Sequence, residues 1–122
     1  MSSASLLQNI LAWKTHYFSS GSYTGEDFQK FSRQFKLFIK DIMSDMQWEL
    51  LSYNKGHYYV SAFVKRADQQ IIYISISDVR WSSENALNNI LVRTAKHDKD
   101  FTGGANHFSR VEELSFVISN LK

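Results

Sequence analysis

The fold is decided by His57-Tyr58-Tyr59-Val60-Ser61-Ala62-Phe63-Val64-Lys65-Arg66, followed after Ala67-Asp68-Gln69-Gln70 by Ile71-Ile72-Tyr73-Ile74-Ser75-Ile76-Ser77-Asp78-Val79. In the first run Tyr58, Val60, Ala62 and Val64 alternate with Tyr59, Ser61, Phe63 and Lys65. In the second, Ile72, Ile74 and Ile76 alternate with Tyr73, Ser75 and Ser77. A period of two sends successive side chains to opposite faces, so each run predicts a strand with one buried face. The four residues between them read as a tight turn, which makes the pair antiparallel.

Two more strands flank this pair. Trp48-Glu49-Leu50-Leu51-Ser52-Tyr53 predicts one, closed by Asn54-Lys55-Gly56, where the glycine is expected to supply a positive φ. Residues 89–96 predict another, with Ile90, Val92 and Thr94 alternating with Leu91, Arg93 and Ala95. Trp81-Ser82-Ser83-Glu84-Asn85 reads as a loop or a short helical turn.

Outside the strands the period lengthens. Leu6, Ile10, Trp13 and Tyr17 predict a helix over residues 5–18, with Leu7 and Leu11 widening its stripe. A second helix starts at Thr24, whose hydroxyl can cap free N–H groups while Asp27 returns the bond. Its Phe28, Phe31, Phe35, Phe38, Ile39, Ile42 and Met46 fall within one arc of about 100°. Ser109 and Glu112 have capping-box spacing before a last helix with Val111, Leu114, Val117, Ile118 and Leu121 on its apolar face. The expected fold is therefore α+β: a four-stranded antiparallel meander, with two N-terminal helices and one C-terminal helix on one face.

Composition narrows the function. At 122 residues without a single proline, the chain offers no Pro-rich linker and reads as one domain, residues 1–122. The absence of cysteine excludes disulfides, thiolate metal sites and cysteine nucleophiles. The first residues carry no basic n-region, and Gln8 and Asn9 interrupt their apolar run, so no signal peptide is expected. No stretch has the length of a membrane span. A cytoplasmic protein without membrane contact is the expectation.

The chemically densest segment is Arg93-Thr94-Ala95-Lys96-His97-Asp98-Lys99-Asp100-Phe101-Thr102-Gly103-Gly104-Ala105-Asn106-His107. Asp98, Asp100, Thr102, Gly103 and Asn106 match five positions of an EF-hand loop. The twelfth is Ser109 instead of a bidentate Glu, and the preceding residues read as a strand, so the match fails. Asp98-x-Asp100-x-Thr102 has the shape of a phosphatase aspartate motif, but Lys96 and His97 separate it from the strand. No Lys-Ser/Thr follows Gly103-Gly104, which excludes a Walker loop. His97, Asp98, Asp100 and His107 match no established metal-ligand spacing. No metal, cofactor or catalytic residue is assigned, and the segment reads as a glycine-hinged connection whose carboxylates pair Arg93, Lys96 and Lys99.

Binding is the better expectation. Tyr59, Phe63, Tyr73, Trp81 and Arg93 would form an aromatic, partner-binding patch if the sheet face opposite the helices is open. Tyr, Trp, Phe and Arg are the residues enriched at interface hot spots, so a protein partner or a second copy of the chain is expected. The alternative is nucleic acid. Net charge is only +2, but Lys30, Arg33, Lys36 and Lys40 share an arc opposite the phenylalanines, and the strands add Lys65 and Arg66 beside Tyr59, Phe63 and Tyr73, on which single-stranded bases could stack.

Overall fold

The computed structural model describes residue 8, residues 25–77, residue 79 and residues 87–122 of the chain. The helix expected over residues 5–18, the Thr24 cap and the loop at residues 81–85 fall outside the described residues, Gln8 apart.

The described chain is α+β. Helix α1 (Gly25–Met46) is followed by strands β1 (Glu49–Lys55), β2 (Val60–Lys65), β3 (Ile71–Ile76), β4 (Ile90–Ala95) and β5 (His107–Ser109). A 3-10 turn (Val111–Glu113) then leads into helix α2 (Leu114–Asn120). The strands form one antiparallel sheet in chain order, β1-β2-β3-β4-β5. Among the described residues no helix is long and apolar enough to cross a membrane.

Four strands were expected and five are present. The fifth has only three residues, too few for a period of two to declare itself, and it pairs Phe108 with Leu91 and Ser109 with Ile90. The final helix is also shorter than expected. Ser109 sits in β5 and its hydroxyl donates to the Arg110 carbonyl, so the capping box does not form and the chain enters α2 through a 3-10 turn.

The period-two reading of β2 and β3 holds for the first face, but within shorter bounds: β2 starts after Tyr58 and Tyr59, β3 ends at Ile76, and Ser61 and Phe63 on the other face of β2 are buried as well. Val60, Ala62 and Val64 pair with Ile76, Ile74 and Ile72, and all six are buried. On this first face they meet Phe28, Phe31, Phe35, Phe38, Ile39 and Ile42 of α1, together with Leu114 and Ile118 of α2. Each fully buried side chain of this size contributes roughly 1.5–3 kcal/mol, so this layer dominates stability. One polar tie crosses it. The Tyr53 hydroxyl of β1 lies 3.1 Å from the Ser32 hydroxyl and donates to the Ser32 carbonyl, fixing α1 along the sheet. Burial pushes the Tyr53 phenol up to about 12, against a smaller lowering by the Ser32 bond.

The β1–β2 turn departs from expectation. The strands continue to Lys55, and Tyr58, not Gly56, takes the positive φ. A Cβ at Gly56 would run into the exposed Tyr59 ring, which would have to move aside.

Candidate functional site

The opposite face of the sheet carries three of the residues singled out for binding. Register places Phe63 beside Tyr73 and Tyr73 beside Arg93, forming one row across β2, β3 and β4. The next row on the same face runs Ser61, Ser75, Leu91 and Phe108.

This face is only partly open. Phe63 is 0% exposed, under Tyr73 at 4.8 Å between ring centres and Phe101 at 5.3 Å. Phe101 arrives edge-on from the β4–β5 connection and touches Tyr73 as well, at 5.8 Å. Phe63 is thus a core residue of this second face and not a contact residue. Tyr73 is half-buried, and Tyr59 is exposed but precedes β2, with its ring over Gly56. Trp81 lies outside the described residues.

Arg93 is buried, and its guanidinium stacks 4.5 Å from the centre of the Tyr73 ring. A cation desolvated against an aromatic ring in this way gains about 2 kcal/mol. Its nitrogens donate to the carbonyls of Thr94 at 3.3 Å and Asp100 at 2.6 Å. Arg93 therefore gathers the connection by its main chain.

Asp100 closes the same connection from the other side. Its carboxylate accepts the backbone N–H groups of Lys96 at 3.0 Å and Thr102 at 3.3 Å. These bonds, Lys96 first, hold its carboxyl below the usual carboxylate range, with Gly103 N–H and the Arg93 charge assisting and desolvation opposing. Asp100 thus binds amides, where side-chain pairing with Arg93, Lys96 and Lys99 was expected. The two glycines fit around it. A Cβ on Gly103 would strike the Asp100 carboxylate. Gly104 has φ +75°, and a Cβ there would lie 2.5 Å from the Thr94 carbonyl oxygen.

The remaining members of the segment point to solvent. Asp98, Thr102, Asn106 and His107 are exposed, and His97 uses Nδ1 to accept the Lys99 N–H at 3.2 Å. Among the described residues no three His, Asp or Glu side chains gather in a way that could hold a metal ion. An open groove of about 590 Å³ runs between the β2–β3 turn and this connection, with Asp68, Gln70, Lys96 and Asp100 among its lining.

Among the segment's exposed polar residues and just beyond them stand two exposed aromatic side chains. Phe101 is 58% exposed and Phe108 62%, both on the side of the sheet away from α1 and α2. Neither was singled out in the sequence. The available signal was Phe101 itself, a lone aromatic among polar loop residues.

The basic residues separate into two groups. Lys30, Arg33, Lys36 and Lys40 are exposed on α1. Arg66 is not available in the same way. Its Nη1 donates to the carbonyls of Ile118 and Leu121 while Nε and Nη2 hold Asp68, so it caps the end of α2. Lys65 is half-buried at the end of β2, opposite Glu49.

Comparison with protein-family models, curated proteins and solved structures gave no match for this chain.

Proposed function

We propose that this protein is a non-enzymatic binding module whose partner is another protein, or a second copy of itself, docking on the sheet face opposite the helices. The observation that carries the reading is the pair Phe101 and Phe108, two large aromatic side chains more than half exposed on that one face. Leu91 and Tyr73, each half-buried, fill the space beside them. Exposed aromatics on a rigid support lose little freedom on binding and cover large area, which makes them effective interface anchors.

The support is rigid for identifiable reasons. Phe108 stands on a paired strand, and Phe101 is held by its packing on Phe63 and Tyr73 and by the Arg93 and Asp100 bonds on either side of it. The Arg93–Asp100 network acts in this reading as the frame of the surface and not as its chemistry.

The experiment is site-specific photo-crosslinking in cells, with a benzophenone side chain at position 101 or 108 and a control at Gln29. A discrete crosslinked species at 101 and 108, absent at 29 and lost on adding Phe→Ser at the other site, is expected. Sedimentation velocity over a wide concentration range then tells self-association from a foreign partner. Identical crosslinking at all three positions, or none at any, sinks the reading.

A further inference from the structure

On the far side of α1 from its phenylalanines, Lys30, Arg33, Lys36 and Lys40 form an exposed row. At 3.6 residues per turn they span an arc of about 120°, and at 1.5 Å per residue they extend about 15 Å along the axis. Lys55, at the end of β1, donates to the Gln29 side-chain oxygen and so brings a fifth cation against the same helix. Lys36 sits 5.6 Å from the centre of the Tyr53 ring, which restrains it. Glu26 lies 3.6 Å from Lys30, but both are exposed and such a pair is weak in water. Asp41 and Asp45 border one flank only. Because α1 is anchored through seven buried apolar residues, the row is a stiff ridge.

We infer that this ridge binds the phosphate backbone of duplex DNA. A duplex carries one phosphate per roughly 1.7 Å of axis over its two strands, a charge density that a ridge of four cations can engage at up to about four phosphates. Among the described residues the row itself holds no aromatic side chain, and the Tyr53 ring beside it is faced by Lys36, which disfavours the stacking that a single strand needs. Leu37, 47% exposed on the same side of the helix, adds an apolar contact to the ridge. The contacts are to backbone alone, so binding does not depend on base sequence. The ridge and the Phe101–Phe108 face lie on opposite sides of the domain, and this inference does not rest on the partner reading.

The test is fluorescence anisotropy with a short labelled duplex. Saturable binding is expected at low salt, with affinity falling about 100-fold as salt rises from about 50 to about 200 mM, for four phosphate contacts. The Arg33→Glu/Lys36→Glu/Lys40→Glu variant, with circular dichroism unchanged, is expected to lose binding. A Phe101→Ser/Phe108→Ser variant is expected to keep it, which separates this surface from the other. Absence of saturable binding at about 50 mM salt, or undiminished affinity in the triple variant, overturns the inference. Tighter binding of the single strand or of poly-glutamate overturns it as well, reassigning the ridge to other partners.

Discussion

Arg66 and Leu121 are fifty-five residues apart in sequence and joined by a hydrogen bond of 2.5 Å, from the guanidinium to the main-chain carbonyl. The same nitrogen reaches Ile118 at 3.1 Å, and Asp68 grips the other edge of the guanidinium at 2.7 Å. The carbonyls at a helix C-terminus have no partner within the helix and carry partial negative charge, so a cation there answers both needs. Beyond the buried contacts of Leu114 and Ile118, this side chain fastens the short helix α2 to the end of β2.

Replacing Arg66 with Ala should therefore lower stability by about 2–3 kcal/mol, read as a shift in the urea midpoint. Lysine at this position should recover only part, because one ammonium cannot serve the carbonyls and Asp68 together. An unchanged midpoint in Arg66→Ala would show that α2 is held by its apolar face alone.

Acid should loosen the Arg93–Asp100 network. The Asp100 carboxyl titrates below its ordinary 3.8 in the folded state, so its contribution is present above that value and fades as pH falls through the folded pKa. Asp68 is lowered in the same direction, chiefly by the Arg66 bond. Asp100→Asn should be less stable than the parent at neutral pH, and the gap should close in acid. A gap independent of pH in thermal melts would contradict this account.

Alkali should act through Tyr53. Its folded pKa of about 12 exceeds the ordinary 10.0, so the contribution is intact below pH 10 and is lost as pH rises through 12. The expected loss is on the order of 2 kcal/mol. Tyr53→Phe should be less stable at pH 7 by about 1 kcal/mol, yet lack this alkaline decline. Denaturant melts of both proteins at pH 8 and pH 11.5 make the comparison.

Gly104→Ala should destabilise by more than about 1 kcal/mol, since it meets both a left-handed backbone and the Thr94 carbonyl. Amide exchange localised to residues 96–106 would report the damage. A neutral substitution would mean that the connection can rebuild around a side chain.

Phe63 and Phe101 touch each other but should behave as opposites. Phe63→Ala should cost about 3–5 kcal/mol, because a buried ring leaves a cavity. Phe101→Ser should cost about 1 kcal/mol, the value of an aromatic contact at the surface, while removing partner crosslinking. Equal losses of stability would place Phe101 in the core, and the partner reading would fall.

Much of this architecture was legible in the residues. Val60 to Ile76 and Phe28 to Ile42 announce their faces because burial on one side forces a period, and the core matches it. β5 escaped because three residues carry no period. The capping box at Ser109 and Glu112 failed because pairing with Ile90 claimed Ser109 first. The candidate surface was legible only as a kind of residue. Alternation places Phe63 on the second face but cannot tell that Phe101, thirty-eight positions later, covers it and takes the exposed position. Arg66 was read as a free cation because its acceptors are backbone carbonyls, which no side-chain pattern reveals.

The sheet is laid down in the order in which it is written, every strand beside its sequence neighbour. The β1–β2 and β2–β3 hairpins close short loops, and local contacts of this kind favour fast folding. Helix α2 has no such local partner, and its hook to Arg66 spans almost half the chain. We expect that hook to set how long the folded molecule persists and not how fast it is reached. In stopped-flow chevrons Arg66→Ala should steepen escape from the native state, raising the unfolding rate and leaving the refolding arm in place. A slowed refolding arm would instead put α2 in the folding nucleus.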